Sequence, residues 1–354
     1  MKKALPLILT ILFAATACEK VDLQMNPKGF TSGRCLNSAG KGPSATSPYQ
    51  NRVWADEFNG PEPGEDPGCY SSTPECALRL DWPGHGDRCS SAANHAGLRD
   101  LNKCNWKLWD GFSFWGEWPK GGKFSYKPSQ VSVHGGAVHF TVARRNPQAG
   151  ALCGKHAGGD PNRGDYFGTD CEWVSGGIDS SHAGGIPGRN IKNGRIEMRA
   201  KLPSGVGVYP ALWTWMTPKG RGIPYQNPSQ TSFSGEYDIL EAVTKSSGRI
   251  QAFQTYHDWG YTPTSHTQSG SGTEYLDPGV WYRFGVERFH DKIRYYIDDC
   301  YTHEVVVGDR GVRINDLAQY LIMNLAMENH VINEGRAGPL DGKTLDVDYV
   351  RLYE

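Results

Sequence analysis

The chain has 354 residues, enough for one large or two ordinary domains, and a formal charge of −1 from 37 basic and 38 acidic side chains. That balance removes the electrostatic ground for a nucleic-acid partner or an acidic polymer. With 44 Gly and 22 Pro, about a fifth of the chain, helices are repeatedly interrupted, which suits many short strands joined by turns.

At the N-terminus, Lys2 and Lys3 precede an apolar run from Ala4 to Ala15, too short for an ordinary membrane span. Residues 1–17 therefore read as an export signal. Its end, Ala15-Thr16-Ala17-Cys18, has two readings. Ala15-Thr16-Ala17 is a simple A-x-A cleavage site. Followed by Cys18, the same residues resemble a bacterial lipoprotein signal in which Cys18 is lipidated, although Ala15 stands where such signals usually carry Leu. Cysteine arithmetic favours lipidation. Without Cys18 eight cysteines remain (Cys35, Cys69, Cys76, Cys89, Cys104, Cys153, Cys171 and Cys300), an even number suited to disulfides in an exported chain. Their spacing lacks the C-x-x-C pairs of zinc sites. Of the roughly 105 connectivities open to eight cysteines, one pair is expected, Cys153 with Cys171, at the ends of a Gly-rich loop. The expected location is the bacterial cell envelope, at the outer membrane, with the membrane engaged through the lipid on Cys18. Without lipidation the protein would be secreted or periplasmic.

Residues 18–50 are polar and read as a lipid-anchored or flexible tether. The folded domain is expected over 51–354. A cysteine-rich insertion at about 60–105 has few apolar runs and is placed inside it. From residue 130 onward strand signals recur. Val131, Val133, Val138 and Phe140 alternate around Gly135-Gly136, which is hairpin spacing. Ile196, Met198 and Ala200 alternate with charged neighbours, Ile293, Tyr295 and Ile297 share one face, and 344–354 closes the chain in the same way. No 15-residue window carries helical periodicity. The fold class is all-β, a sandwich or jelly roll.

The segment Ser234-Gly-Glu-Tyr-Asp-Ile-Leu-Glu-Ala-Val243 places Glu236, Asp238 and Glu241 within six positions, among apolar and aromatic residues. In a regular strand Glu236 and Asp238 share a face with Leu240, while Tyr237 and Ile239 point the other way. Glu241, five positions after Glu236, would face away unless a β-bulge adds a residue and restores it. Clustered carboxylates push at least one pKa upward. One raised and one ionised carboxyl is what retaining glycosidic hydrolysis requires. Solvated edge strands and calcium loops also gather acids. The calcium-loop oxygen pattern and its Gly are missing here, and Ile239, Leu240, Ala242 and Val243 argue against simple exposure. On the residues alone, catalysis and a structural role both stand.

Beyond that strand the chain resembles glycoside hydrolase family 16, the laminarinases, lichenases, agarases, carrageenases and relatives. The resemblance rests on "VWADEFNG" (53–60), "SGGIDS" (175–180), "NGRIEMRAKLPSGVGVYPALWTWM" (193–216), "GEYDILEAV" (235–243), "YHDWG" (256–260), "WYRFGVERFHDKIRYYIDD" (281–299), "YLIMNLAM" (320–327) and "LDVDYVRLY" (345–353), in the family's order. The acidic stretch matches the E-x-D-x-x-E signature of the bulge-containing branch. The resemblance implies a concanavalin A-like jelly roll of two antiparallel sheets, with a sugar cleft on the concave face. It also implies that Glu236 is the nucleophile, Glu241 the general acid and then base, and Asp238 the residue that steadies the nucleophile's charge. Retaining chemistry wants the outer carboxyls about 5–5.5 Å apart.

By the same resemblance Trp213 flanks the cleaved sugar, with Trp215 able to extend its platform. His257 lies near the acid/base, Asn324 faces the cleft, and Tyr209 replaces a more usual Trp. Family members often bind calcium away from the cleft, for which Asp56 or Glu57 with Asp348 are the candidates; catalysis needs no cofactor. The expected function is an exported, endo-acting retaining glycosidase cleaving internal β-linkages of a polysaccharide, foremost β-1,3-glucan, acting as a monomer. A galactan (agar, porphyran or carrageenan) is the runner-up substrate, because Gly177 and Glu328-Asn329-His330 depart from the glucan-cleaving pattern. Transglycosylation would use the same residues. A non-catalytic lectin-like protein is the competing class, and clustered acids speak against it. A disulfide-bonded envelope protein explains none of the ordered motifs.

Overall fold

The computed structural model describes residues 47–60, 101–102, 105–109, 124–145, 172–180, 193–216, 234–259, 267–298, 300–308 and 319–354. The export signal, Cys18, most of the cysteine-rich insertion, the Cys153–Cys171 pairing and the loop at 217–233 lie outside them. The expected architecture is found. One large antiparallel sheet runs β16 (Cys300–Val306), β15 (Lys292–Ile297), β14 (Trp281–Arg288), β9 (Gly194–Lys201), β18 (Thr344–Tyr353), β5 (Ala137–Thr141) and β4 (Val131–His134). An eighth strand, β1 (Arg52–Asp56), also pairs with β18. The second sheet runs β13 (Thr267–Leu276), β12 (Ile250–Trp259), β11 (Ser234–Thr244), β10 (Val208–Met216), β17 (Gln319–Met327), β8 (Gly177–Asp179) and β2 (Lys107–Leu108). A small third sheet joins β3 (Phe124–Tyr126), β7 (Trp173–Ser175) and β6 (Ala143–Arg144). One short helix, α1 (Asn329–Asn333), follows β17.

Alternation decides which face each strand buries. Ile196, Met198 and Ala200 of β9, Tyr282, Phe284 and Val286 of β14, and Ile293, Tyr295 and Ile297 of β15 enter one core from the first sheet. Leu212, Tyr237, Leu321, Met323 and Leu325 meet them from the second. Each fully buried aliphatic or aromatic side chain is worth about 1.5–3 kcal/mol of transfer free energy. A one-residue slip would turn the whole set to water, so the registers are firmly held. The hairpin between β4 and β5 turns on Gly135 and Gly136 at φ 60° and 70°. Two successive positive-φ residues make the tight turn that matches strand twist, and glycine adopts it without a Cβ clash.

The domain edges differ slightly from expectation. Leu101 and Trp106 are core residues, so the fold resumes inside the last part of the proposed insertion. Residues 47–50, assigned to the tether, pack on the domain: the Tyr49 hydroxyl donates to the Arg288 carbonyl at 2.8 Å.

Candidate active site

On β11, Tyr237 and Ile239 enter the core, leaving Glu236 and Asp238 on the opposite face of the second sheet. Asp238 pairs with Thr255 of β12 and with Trp213 of β10, and Glu241 pairs with Phe253 and Ala211. Three steps along β11 thus oppose two on either neighbour, which is a β-bulge. Ile239 and Leu240 are consecutive, yet both are wholly buried in the main core. Leu240 therefore does not share the carboxylates' face, as strict alternation requires. The extra residue rotates it inward and returns Glu241 to the side of Glu236 and Asp238.

A bulge disrupts the ladder, and a buried carbonyl without a donor costs about 1–3 kcal/mol. Gln254 of β12 answers this at the Ile239 carbonyl. Its side chain lies on the core side with no exposure. Nε2 donates to the Ile239 carbonyl at 2.8 Å and to the Tyr296 carbonyl of β15 at 3.0 Å. Its Oε1 accepts from the Thr302 hydroxyl of β16. The bulge is thereby tied to the opposite sheet.

Around the bulge the acids and their partners form one network. Asp238 is 2% exposed and Glu236 6%. Burial holds the Asp238 carboxyl above the ordinary carboxylate range, against the lowering effect of its hydrogen bond with Glu236. His257 lies opposite Glu236 in the strand register, with Nε2 2.9 Å from Asp238 Oδ2. Burial pushes the imidazole pKa down, against the opposing pull of the Glu241 charge. The Tyr209 hydroxyl donates to Glu241 Oε1 at 2.8 Å. Glu241 is pushed up to about 8, by burial first and then by the charge on Asp238, with Tyr209 and His257 working in the other direction. A carboxyl still protonated near neutrality, beside a second carboxylate on the same face, can serve as an acid for a leaving oxygen.

Beside the acids lies an aromatic floor. Trp213 and Trp215 share the face, with ring centroids 6.2 Å apart in a T-shaped contact. With Ala211 and Ile322 they form an apolar cluster separate from the main core, and Trp109 and Tyr320 pack against it. The Trp213 indole N–H donates to Asn324 Oδ1 at 2.8 Å, and Asn324 Nδ2 donates to the Tyr126 hydroxyl at 2.9 Å. Asn324 is buried, so its amide here holds the Trp213 ring in place.

All eight residues expected in the cleft therefore converge. The candidate calcium ligands are engaged by other protein groups. Arg351 grips Glu57 through two nitrogens at 2.8 and 3.0 Å, and Arg199 binds Asp348 at 2.8 Å. Asp56 accepts from the Trp106 indole at 2.7 Å and from the Phe58 amide at 2.9 Å. Among the described residues no group of acids, His or Cys is arranged to hold a metal. Two residues at the site were not anticipated. Gln254 carries a faint signal, a polar residue in the inward phase of Ile250, Ala252 and Tyr256. Trp109 carries none.

No protein-family model matches the chain. It is 31% identical over 180 residues, 47% of its length, to a glucan endo-1,3-beta-glucosidase from Niallia circulans, of which the match covers 25%. It is 28% identical over 169 residues to a beta-glucanase from Rhodothermus marinus, covering 57% of that protein. Over 183 residues it is 27% identical to a keratan-sulfate endo-1,4-beta-galactosidase from Sphingobacterium multivorum, covering 40% of it. The chain thus spans only part of the length of these curated relatives. Among solved structures, a non-specific endo-beta-1,3(4)-glucanase from family GH16 superposes with a TM-score of 0.55 at 21% identity, covering 87% of this chain and 95% of that one. The endo-beta-1,3-glucanase from Pyrococcus furiosus does so at 0.54 and 21%, covering 86% and 94%. The fold is the jelly-roll sandwich of these glucanases, and the resemblance to glycoside hydrolase family 16 is borne out.

Proposed function

We propose that the protein is an endo-acting retaining glycoside hydrolase that cuts internal β-1,3 linkages of a laminarin-like glucan. The observation that carries this reading is the bulge that gathers Glu236, Asp238 and Glu241 on one face beside the Trp213 and Trp215 floor. Glu241 gives its proton to the glycosidic oxygen as the Glu236 carboxylate attacks the anomeric carbon, breaking the C–O bond and forming a glycosyl ester. Glu241, now ionised, takes a proton from water, whose oxygen attacks the same carbon and expels Glu236. Asp238, bonded to both Glu236 and His257, orients the nucleophile. None of these steps needs a metal, and calcium at Glu57 and Asp348 has no support in their arginine pairing. The printed activities of the glucanase relatives favour a glucan. The keratan-sulfate galactosidase keeps a galactan as the second reading. A polysaccharide does not cross a membrane intact, which supports export; the Ala15-Thr16-Ala17-Cys18 stretch and the even number of remaining cysteines support lipidation of Cys18.

Incubation with laminarin, mixed-linkage glucan, agarose, porphyran, carrageenan and keratan sulfate, read as new reducing ends, tests it. Laminarin cut with an initially retained β-anomer by proton NMR is expected. No release from any polymer sinks the reading, and an inverted first product contradicts the role of Glu236.

Tyr209 sets the working pH in this scheme. Its hydroxyl stabilises the ionised form of Glu241, so it lowers that pKa. Glu241 must be protonated for the first step, so activity falls as pH rises through its pKa. Tyr209→Phe removes the donor and is expected to move the alkaline limb of the pH–rate profile to higher pH. An unmoved limb with unchanged fold would show that the hydroxyl does not act on the acid.

A further inference from the structure

We infer that Trp109, seated on Gly177 and anchored by Asp179, is a second sugar-stacking platform in the same cleft, binding a hexose several units from the bond that is cut. This rests on the proposed hydrolase reading. The side chain of Ile178 enters the main core, so its neighbours Gly177 and Asp179 on β8 face the side of the carboxylates. Glycine at 177 is not demanded by the backbone, because its φ lies outside the left-handed range. What it permits is contact. A Cβ there would sit 2.8 Å from Trp109 Cε3 and 3.1 Å from the Asn324 Cβ. The indole ring therefore occupies the space that a side chain at 177 would fill.

The ring is held on several sides. Its N–H donates to Asp179 Oδ2 at 2.6 Å, and Tyr126 meets it edge-on at 4.9 Å between centroids. It also packs against the cluster of Ala211, Trp213, Trp215 and Ile322. Yet Trp109 stays partly exposed, whereas Trp106, three residues earlier, is 2% exposed in the core. A rigidly braced, partly exposed tryptophan continuous with the catalytic floor is suited to the apolar face of a pyranose. In the sheet order β11, β10, β17, β8, the site stands three strand spacings from the acids, about 14 Å at roughly 4.8 Å each. That separation suits a longer chain and not a single ring.

Initial rates on laminari-oligosaccharides of increasing length, for wild type, Trp109→Ala and Trp109→Phe, test the platform. For Trp109→Ala, the ratio of kcat/KM on the longest oligomer to that on the shortest one cleaved should fall about tenfold, chiefly through KM. Trp109→Phe keeps a ring and should recover part of the ratio; it carries the test alone if the alanine variant does not fold. An unchanged ratio, with rates lost equally at every length or not at all, overturns the platform while leaving the hydrolase intact. Wild type that cleaves no laminari-oligosaccharide overturns the β-1,3-glucan reading first, and the platform for that glucan with it.

Discussion

Glu236→Gln should abolish turnover while the protein stays folded and still retains polysaccharide. The amide nearly matches the carboxylate in shape, and it keeps an oxygen and gains a donor beside Asp238, so the local packing survives. It cannot form the glycosyl ester. Removing a nucleophile typically costs on the order of 10⁴-fold or more in kcat. Reducing-end release, retardation in laminarin-containing native gels and a thermal melt separate the outcomes. Lost turnover with unchanged retardation and melting is the expected pattern. Activity within about tenfold of wild type would remove Glu236 from the nucleophile's role. Wild-type protein that is retarded but never releases ends would make it a lectin-like binder.

Glu241→Gln is the second large effect, and its signature depends on the substrate. On laminarin the leaving oxygen needs a proton, so a loss of about 10²–10⁴-fold is expected. An aryl glycoside with a good leaving group does not need that proton. The ester on Glu236 should then form and accumulate, because no base is left to activate water. Added azide needs no base. It should attack the anomeric carbon, expel Glu236 and restore turnover as a β-glycosyl azide. Failure of azide to rescue would contradict the assignment of Glu241 as acid and base.

The same variant carries a stability test. In the folded protein burial pushes the Glu241 carboxyl up to about 8, from an ordinary value of 4.5. Its ionised form is thus disfavoured by folding, and wild type loses stability as pH rises between those values. Glutamine does not titrate, so the melting temperature of the variant relative to wild type should climb across that window. A constant difference would mean that burial does not hold the acid protonated.

The strand pattern of this fold is local, which is why it is legible in the chain. Period-2 alternation at Ile196-Met198-Ala200 and Ile293-Tyr295-Ile297 marks one buried face without knowledge of any partner strand. Even the bulge is foreshadowed, because the odd separation of Glu236 and Glu241 can be reconciled with one shared face only by an added residue. The same logic misplaced Leu240, since which residue absorbs the bulge depends on the neighbours' registers.

Contacts over long separations were decided by the tertiary structure. Sheet order brings Gln254 to the Ile239 carbonyl and to Thr302, 15 and 48 residues away. It sets Trp109 beside Asp179 across 70 residues, and joins Trp213 to Asn324 across 111. It also delivers Arg351 to Glu57 across 294, so that an acid suited by type to calcium is neutralised by a guanidinium. Sequence alone thus determined the sandwich, the row of acids and the aromatic residues beside them. The packing of two sheets decided how the bulge is braced, which further tryptophan packs against the Trp213 and Trp215 cluster, and which acids are paired, because each of these depends on residues that only the strand order makes neighbours.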